Sequence, residues 1–269
     1  MKLIFILILL LFPLYLFLIA PRIRKKADRT PFLNFHYAHR GLFDNDSDAP
    51  ENSLLAFQKA VDAGYGIELD VQLSKDNQLV IFHDATLKRM CGVKGNVWDY
   101  TLEELQQMKL ANSDQTIPAF QDFLKVVKGK VPFILEYKLD RPQTKVCELA
   151  NEVLKNYSGA YCIESFHPLA LLWYRKHRPD VLRGQLSEEF FREEKYKKKL
   201  HFTLASFLLF NFAGRPDFIA YNHLHADNIS RRICKKLGSL SVTYTIKSKE
   251  EYLKNRKNFD LFIFDSCKL

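Results

Sequence analysis

"GIELDVQLSKDNQLVIFHD", residues 66–84, is the stretch whose reading decides the fold. Two apolar runs flank the polar residues 75–77. A parallel crossover needs about a dozen residues or more, so these two runs pair antiparallel. Side chains alternate along a strand, which puts Glu68 and Asp70 on one face and Ile67, Leu69 and Val71 on the other. The return run then carries His83 back toward the level of the two carboxylates, with Asp84 beside it. Two like charges in an apolar strand repel each other unless a cation or a proton lies between them.

Outward from this ribbon, apolar runs at 35–41, 131–138, 159–166, 181–187, 217–222, 240–246 and 259–266 join 66–74 as eight candidate strands. Amphipathic stretches at 52–63, 118–128, 144–155, 168–176, 188–199 and 229–237 fall between them as candidate helices. Strands alternating with helices imply a parallel sheet covered by helices. Eight of them predict an α/β fold of the (β/α)8 TIM-barrel type, with the 66–84 ribbon overshooting the rim as a β-hairpin extension. A doubly wound open sheet is the alternative, because periodicity does not report closure. Residues 85–116 carry Gly92, Gly95 and the short helical pattern "TLEELQQM", and read as a small insertion above the same rim.

With 269 residues and 47% hydrophobic content, the chain can bury a full core. A net charge of +9 points to an anionic partner: nucleic acid, a membrane surface or a phosphorylated substrate. No nucleic-acid-binding module is recognisable, so nucleic acid is set aside. The five cysteines lack paired spacing, which argues against a disulfide framework and for a reducing compartment. "LIFILILLLFPLYLFLIA", residues 3–20, reaches the lower length limit of a membrane span, and Pro13 is tolerated in such a helix. It predicts a transmembrane anchor over 1–21, a basic linker over 22–34 and a catalytic domain over 35–269. A cleaved signal peptide is the competing reading. Arg22, Arg24, Lys25, Lys26 and Arg29 follow the span and only Lys2 precedes it, so the positive-inside rule predicts a single-pass protein of the cell membrane with a cytoplasmic domain. The apolar stretch 202–210, "FTLASFLLF", is too short to span and reads as a buried or an interfacial helix.

In a (β/α)8 barrel the reactive residues gather at the C-terminal ends of the strands. There lie His39 and Arg40, Glu68 and Asp70, His83 and Asp84, and Glu136 and Lys138, the last two again on one face. Glu68, Asp70 and Glu136 offer oxygen ligands suited to a hard divalent ion, Mg²⁺ or Ca²⁺. The two histidines would instead suit zinc, and a buried salt-bridge network with Arg40 and Lys138 is the bland alternative. A hard metal with an Arg and a Lys points to phosphate, and two histidines beside it to general acid–base catalysis. His36, His167, His177 and His201 read as structural, whereas His223 and His225 lie just beyond a strand, where they could face a substrate.

In order and spacing, "AHRG", "PENS", "IELDVQLSKDNQLVIFHD", "LEYK" and "SF" resemble the glycerophosphodiester phosphodiesterase family, from about Tyr37 to Asp265. The stretches "GVKGNVWDYTLEELQQMKL" and "IPAFQDFL" look like the family's sequence after its HD motif. The resemblance implies a TIM barrel that hydrolyses glycerophosphodiesters to sn-glycerol 3-phosphate and an alcohol with a divalent metal. By position, it makes Glu68, Asp70 and Glu136 the metal ligands, with Glu51 or solvent as a further ligand. His39 and His83 become the acid–base pair, and Arg40 and Lys138 the phosphate-binding residues. Glu51, Asn52, Phe166, Tyr244 and Lys247 fall at the rim or behind the ligands.

Two departures stand out. The family's strand-7 "WTV" followed by Asn is here "YTIK", so Tyr244 replaces Trp and Lys247 replaces Asn. Leu269 follows Ser266 so closely that the family's closing helix is short or missing. Two alternatives to the diesterase stay open: a lysophospholipase D acting on membrane lysophospholipids, with acyl contacts from the anchor side or from 202–210, and an inactive membrane-anchored lipid sensor or scaffold.

Overall fold

The computed structural model describes residues 2–139 and 143–269, with side chains described from residue 11 onward. Nine strands form one sheet: β1 (Tyr37–His39), β2 (Gly66–Leu73), β3 (Leu79–Ile81), β4 (Phe133–Tyr137), β5 (Tyr161–Ser165), β6 (Arg183–Ser187), β7 (Phe218–Asn222), β8 (Leu240–Ile246) and β9 (Leu261–Phe264). All but β3 run parallel in the order β1-β9-β8-β7-β6-β5-β4-β2, and β1 pairs with β2 as well as β9. That extra pairing closes the barrel and removes the open-sheet alternative. β3 pairs antiparallel with the far end of β2 through Val71↔Ile81, Gln72↔Val80 and Leu73↔Leu79, as the short turn requires.

Three apolar clusters follow from this closure. Tyr37, Ile134, Cys162, Leu186, Phe218, Val242 and Ile263 fill the barrel interior. Gly184 makes this filling possible, since a Cβ there would lie 1.9 Å from the Phe218 ring. A larger cluster, including Phe57, Leu69, Phe123, Phe133 and Trp173, cements the helices to the outer face of the strands. The insertion has a small core of its own, with Val80, Phe82, Leu87, Met90, Val97 and Leu105 packed together beneath its loops. It therefore stands on the rim as an ordered unit.

The helices fall where the periodicity predicts them, with two corrections. Residues 188–199 form only a 3-10 turn, Phe190–Arg192, and further turns, followed by the short helices Leu200–Ser206 and Asn211–Gly214. Aromatic packing overrides the helical pattern there. The rings of Phe190 and Tyr196 lie 5.5 Å apart and those of Tyr196 and Phe202 4.1 Å apart, a cluster that no single helical face would bring together. Conversely, the charged stretch Lys249–Asn255 is a helix, started by Ser248 accepting from the Glu251 N–H.

The expected transmembrane anchor is also corrected. An 18-residue helix forms over Lys2–Ile19, but among the described residues no helix is long and apolar enough to cross a membrane. At 1.5 Å per residue such a helix reaches about 27 Å, short of the roughly 30 Å hydrocarbon core. Its last turns are instead committed to the barrel. Ile19 is fully buried, the Tyr15 and Ser230 hydroxyls hydrogen-bond at 2.7 Å, and Asn211 donates to the Ile19 carbonyl. The basic linker then runs over the bottom of the barrel, where Arg22 pairs with Asp217 at 3.4 Å and Phe32 plugs the interior cluster. Beyond β9 the chain is not helical, and Tyr65 donates its hydroxyl to the Leu269 carbonyl.

Candidate active site

Register brings the acids together. In the parallel ladder Asp70 stands beside Glu136 and Glu136 beside Glu164, while His39 stands beside Glu68. One oxygen from each of Glu68, Asp70 and Glu136 lies within 4.8 Å of the others, and all three residues are buried. They are the one such group of three among the described residues. Burial first, and then the neighbouring charges of Asp70 and Glu136, push the Glu68 carboxyl well above the ordinary carboxylate range. Burial raises Glu136 as well, against the pull of Lys138. Asp70 goes the other way: although burial pulls upward, Lys138, His83 and Arg40 hold it well below that range. Such a cluster is short of positive charge, which is what a cation site lacks before its ion arrives. An all-oxygen donor set fits a hard cation of the Mg²⁺ or Ca²⁺ kind better than zinc.

The two expected basic residues both reach the acids. The Lys138 ammonium lies 2.5 Å from Glu136 and 3.0 Å from Asp70. Arg40 takes a left-handed backbone, φ 56°, that turns its N–H onto the Glu68 carboxylate at 3.2 Å. Its guanidinium then reaches Glu51 at 2.7 Å and Asp70 at 3.5 Å. The next residue, Gly41, also has positive φ, and a Cβ there would meet the Ala56 backbone at 2.9 Å, so this turn requires glycine. Asn52, also left-handed at φ 59°, donates its amide to Asp70 at 2.9 Å.

Both histidines converge on the cluster, and each is held from behind by an acid. His39 Nδ1 lies 3.1 Å from Asp265 Oδ2, and its Nε2 faces Glu68 at 3.9 Å. Burial pushes the His39 imidazole below its ordinary value, against the upward pull of Asp265. His83 Nδ1 lies 2.7 Å from Asp84 Oδ1. Arg89, from the insertion, grips Asp84 at 2.6 Å and spans to both oxygens of Glu51 at 2.7 and 2.9 Å. Gln72 donates its amide to the carbonyls of Phe82 and Asp84, each at 2.8 Å, and so fixes the backbone around His83.

Glu51 consequently stands apart from the acidic cluster, clasped by two guanidinium groups and by Asn45. Across the mouth, Phe166 packs edge-on against Tyr244, whose hydroxyl donates to the Ser187 carbonyl. Lys247 is exposed at the rim, where its charge acts on Asp265. His223 and His225 do not form a pair: His223 faces Glu251 at 3.6 Å and His225 accepts from the Glu189 N–H. His36 packs edge-on against Tyr252 and Phe262, and His177 stacks on Trp173, both away from the mouth.

Sequence reasoning missed four residues of this site: Asp265, Arg89, Gln72 and the fully buried Glu164. Asp265 directly follows β9, at the same end of the barrel as His39 at the close of β1, and that was the available signal. Glu164 sits two strand positions beyond the interior Cys162, hence on the same face, directly in register with Glu136.

Comparison with known proteins agrees with this geometry. The glycerophosphoryl diester phosphodiesterase family pattern matches residues 39–268. A glycerophosphodiester phosphodiesterase of Bacillus altitudinis is 33% identical over 157 residues, covering 54% of this chain and 63% of the relative. A lysophospholipase D of Rattus norvegicus is 30% identical over 53% of this chain and 48% of the relative. The matched part thus spans less than two thirds of these curated relatives. Among solved structures, a glycerophosphodiester phosphodiesterase of Thermotoga maritima superposes with a TM-score of 0.66 at 26% identity, over 87% of this chain and 95% of that one. A phosphodiesterase of Oleispira antarctica, solved with its product sn-glycerol 3-phosphate, shares the fold with a TM-score of 0.69 at 24% identity, over 87% and 94%. By its pattern match over most of its length, the chain belongs to the glycerophosphoryl diester phosphodiesterase family.

Proposed function

We propose that this protein hydrolyses glycerophosphodiesters to sn-glycerol 3-phosphate and an alcohol. The observation that carries the reading is the pairing of two acid-backed histidines with a buried three-carboxylate cluster at one barrel mouth. Glu68, Asp70 and Glu136 would hold a divalent cation, which when bound supplies charge stabilisation to the phosphoryl oxygens.

The chain's own residues do the rest. Lys138 and Arg40 lie among the carboxylates that a cation would neutralise, and their remaining donors then serve the phosphate oxygens. With Nδ1–H donated to Asp265, neutral His39 carries a bare Nε2, the form that takes a proton from the attacking water, or from the substrate's glycerol hydroxyl in a route whose cyclic phosphate a water then opens to sn-glycerol 3-phosphate. Its lowered pKa keeps it in that form at neutral pH. His83, oriented by Asp84 at its Nδ1, donates a proton to the departing alcohol oxygen as the phosphorus–oxygen bond breaks.

The test uses purified protein with glycerophosphocholine, glycerophosphoethanolamine and glycerophosphoglycerol, and follows sn-glycerol 3-phosphate in Mg²⁺, Ca²⁺ or EDTA. Metal-dependent release, lost in His39→Ala and Glu68→Ala, is the expected result. Folded, metal-loaded protein that turns over none of the three overturns the reading.

A further inference from the structure

Residues 85–116 pack around a core of their own, yet one of their side chains leaves that core and reaches the barrel mouth. Arg89 lies on the short helix Lys88–Cys91. Leu87 and Met90 bury the two sides of this helix in the insertion's core, and Gly92 ends it in the left-handed region at φ 69°. The Leu87 N–H donates to the Gly95 carbonyl and the Val97 N–H to the Ala85 carbonyl, each at 3.0 Å, which closes the loop behind it. The insertion itself therefore holds the backbone that carries Arg89.

From there the guanidinium meets two carboxylates at once. Nε donates to Asp84 Oδ2 at 2.6 Å and Nη2 to Asp84 Oδ1 at 3.0 Å. Nη1 donates to Glu51 Oε2 at 2.9 Å and Nη2 to Glu51 Oε1 at 2.7 Å. The last N–H, on Nη1, goes to the Met90 sulfur at 3.1 Å. All five donors of the group are engaged, and none is left for a phosphate oxygen. Arg89 must therefore act through its partners. Asp84 Oδ1 is the oxygen beside His83 Nδ1, at 2.7 Å, and Glu51 Oε1 is the oxygen that accepts from Arg40 Nη1, also at 2.7 Å. A single nitrogen, Arg89 Nη2, thus joins the acid behind the proton donor to the acid behind a phosphate-binding arginine.

We infer that Arg89 is a positioning residue that sets His83 and Arg40 relative to each other, and that this is the insertion's part in the reaction. The inference rests on the diesterase reading and deepens it. Arg40 follows β1 and His83 follows β3, so the sheet places their backbones but leaves both side chains to turn at the rim. Two charge-assisted pairs on one rigid plane remove that freedom. A lysine in the same place carries the charge but lacks the fork that grips both carboxylates.

The experiment measures kcat and KM on glycerophosphocholine, and the melting temperature, for Arg89→Ala and Arg89→Lys, alone and combined with His83→Ala or Arg40→Ala. A reacting group displaced by about 1 Å costs on the order of 10²-fold in rate, so Arg89→Ala is expected to lower kcat by about that factor through His83. It should also raise KM several-fold through Arg40. In the His83→Ala background the further fall in kcat should vanish, and in the Arg40→Ala background the further rise in KM. Arg89→Lys should keep the wild-type melting temperature and still show most of the fall in kcat, and it decides the matter if Arg89→Ala does not fold. Wild-type kinetics in a folded Arg89→Ala overturn the inference. So does a full additional penalty in both double variants, since Arg89 would then act through other groups. Wild-type kinetics in Arg89→Lys overturn it too, because charge alone would suffice. Wild-type protein that turns over no glycerophosphodiester removes the diesterase reading itself, and this inference with it.

Discussion

The two halves of the barrel mouth are built on opposite principles. From β1 to β4 the strand ends carry charge: His39, Arg40, Glu68, Asp70, Glu136 and Lys138, with His83 on the returning ribbon. From β5 to β7 the strand ends and their loops carry Phe166, Phe190, Phe202 and Phe210, and Tyr244 closes the ring from β8. Closure of one sheet sets these halves face to face across the mouth. The charged half is unstable by itself, because buried like charges are expensive until something neutralises them. The aromatic half gains by burial. One half is shaped for chemistry at a cost in stability, and the other supplies part of that stability.

The sharpest way to break this contrast is to remove one acid. Glu68→Gln should lower kcat by about a thousandfold or more, as expected when a group of the catalytic cluster is lost. In metal-free protein the same change should leave the melting temperature unchanged or raise it, because burial and its acidic neighbours already disfavour the Glu68 charge. A steep fall in metal-free stability would show that Glu68 is a structural ion pair, and the contrast between the halves would fail.

Next in size come the histidines and the acids behind them. His39→Ala and His83→Ala should each reduce kcat by about 10² to 10⁴-fold. Asp265→Asn and Asp84→Asn keep the imidazoles but weaken their hold, and should each fall short of the corresponding histidine variant. The pH–rate profile separates orientation from structure: Asp265→Asn should lower the acidic limb's apparent pKa, since Asp265 favours the charged form of His39. An unmoved profile would reduce Asp265 to a packing role.

How much of this was legible beforehand differs between the halves for a physical reason. Strand periodicity is local, so Glu68 with Asp70 and Glu136 with Lys138 could be assigned to one face from spacing alone. The short polar turn likewise required the antiparallel ribbon that returns His83. Closure, expected from the count of eight strands and from the family resemblance, is not carried by periodicity itself, because the β1–β2 and β1–β9 pairings join residues distant in sequence. Nor is the pairing of Asp265 with His39, which are 226 positions apart. The aromatic half misled the helical reading of 188–199, because Phe190, Tyr196 and Phe202 gather by tertiary packing. At the N-terminus, hydropathy predicted a bilayer partner, while Tyr15 and Ile19 show the helix's last turns packed on protein.

A smaller effect sharpens the comparison from the stability side. Burial would raise Glu51, but Arg89 and Arg40 hold it at about 2, against an ordinary value of 4.5. A folded pKa below the unfolded one means that the stabilisation is complete above about pH 4.5 and fades as pH falls toward 2. The difference corresponds to about 3 kcal/mol. Glu51→Gln should therefore cost stability of that order at neutral pH, and the variant and wild type should converge in acid. Parallel denaturation curves of variant and wild type from pH 7 down to about pH 2 would check it. A constant gap would mean that Glu51 acts through packing rather than charge.

The smallest expected effect lies in the aromatic half. Tyr244 stands where the family resemblance expects Trp, and its hydroxyl donates to the Ser187 carbonyl at 2.9 Å. Tyr244→Phe removes that donor but keeps the ring against Phe166. One neutral hydrogen bond contributes about 1 kcal/mol, so a fall in melting temperature of a few degrees is expected, with kcat on a water-soluble diester nearly unchanged. Tyr244→Ala removes the ring too and should lower stability further, by an amount typical of aromatic truncation. If Tyr244→Phe instead lowered kcat as far as a histidine variant does, the hydroxyl would belong to the reacting centre. The line between a chemical half and an apolar half would then have to be redrawn through β8.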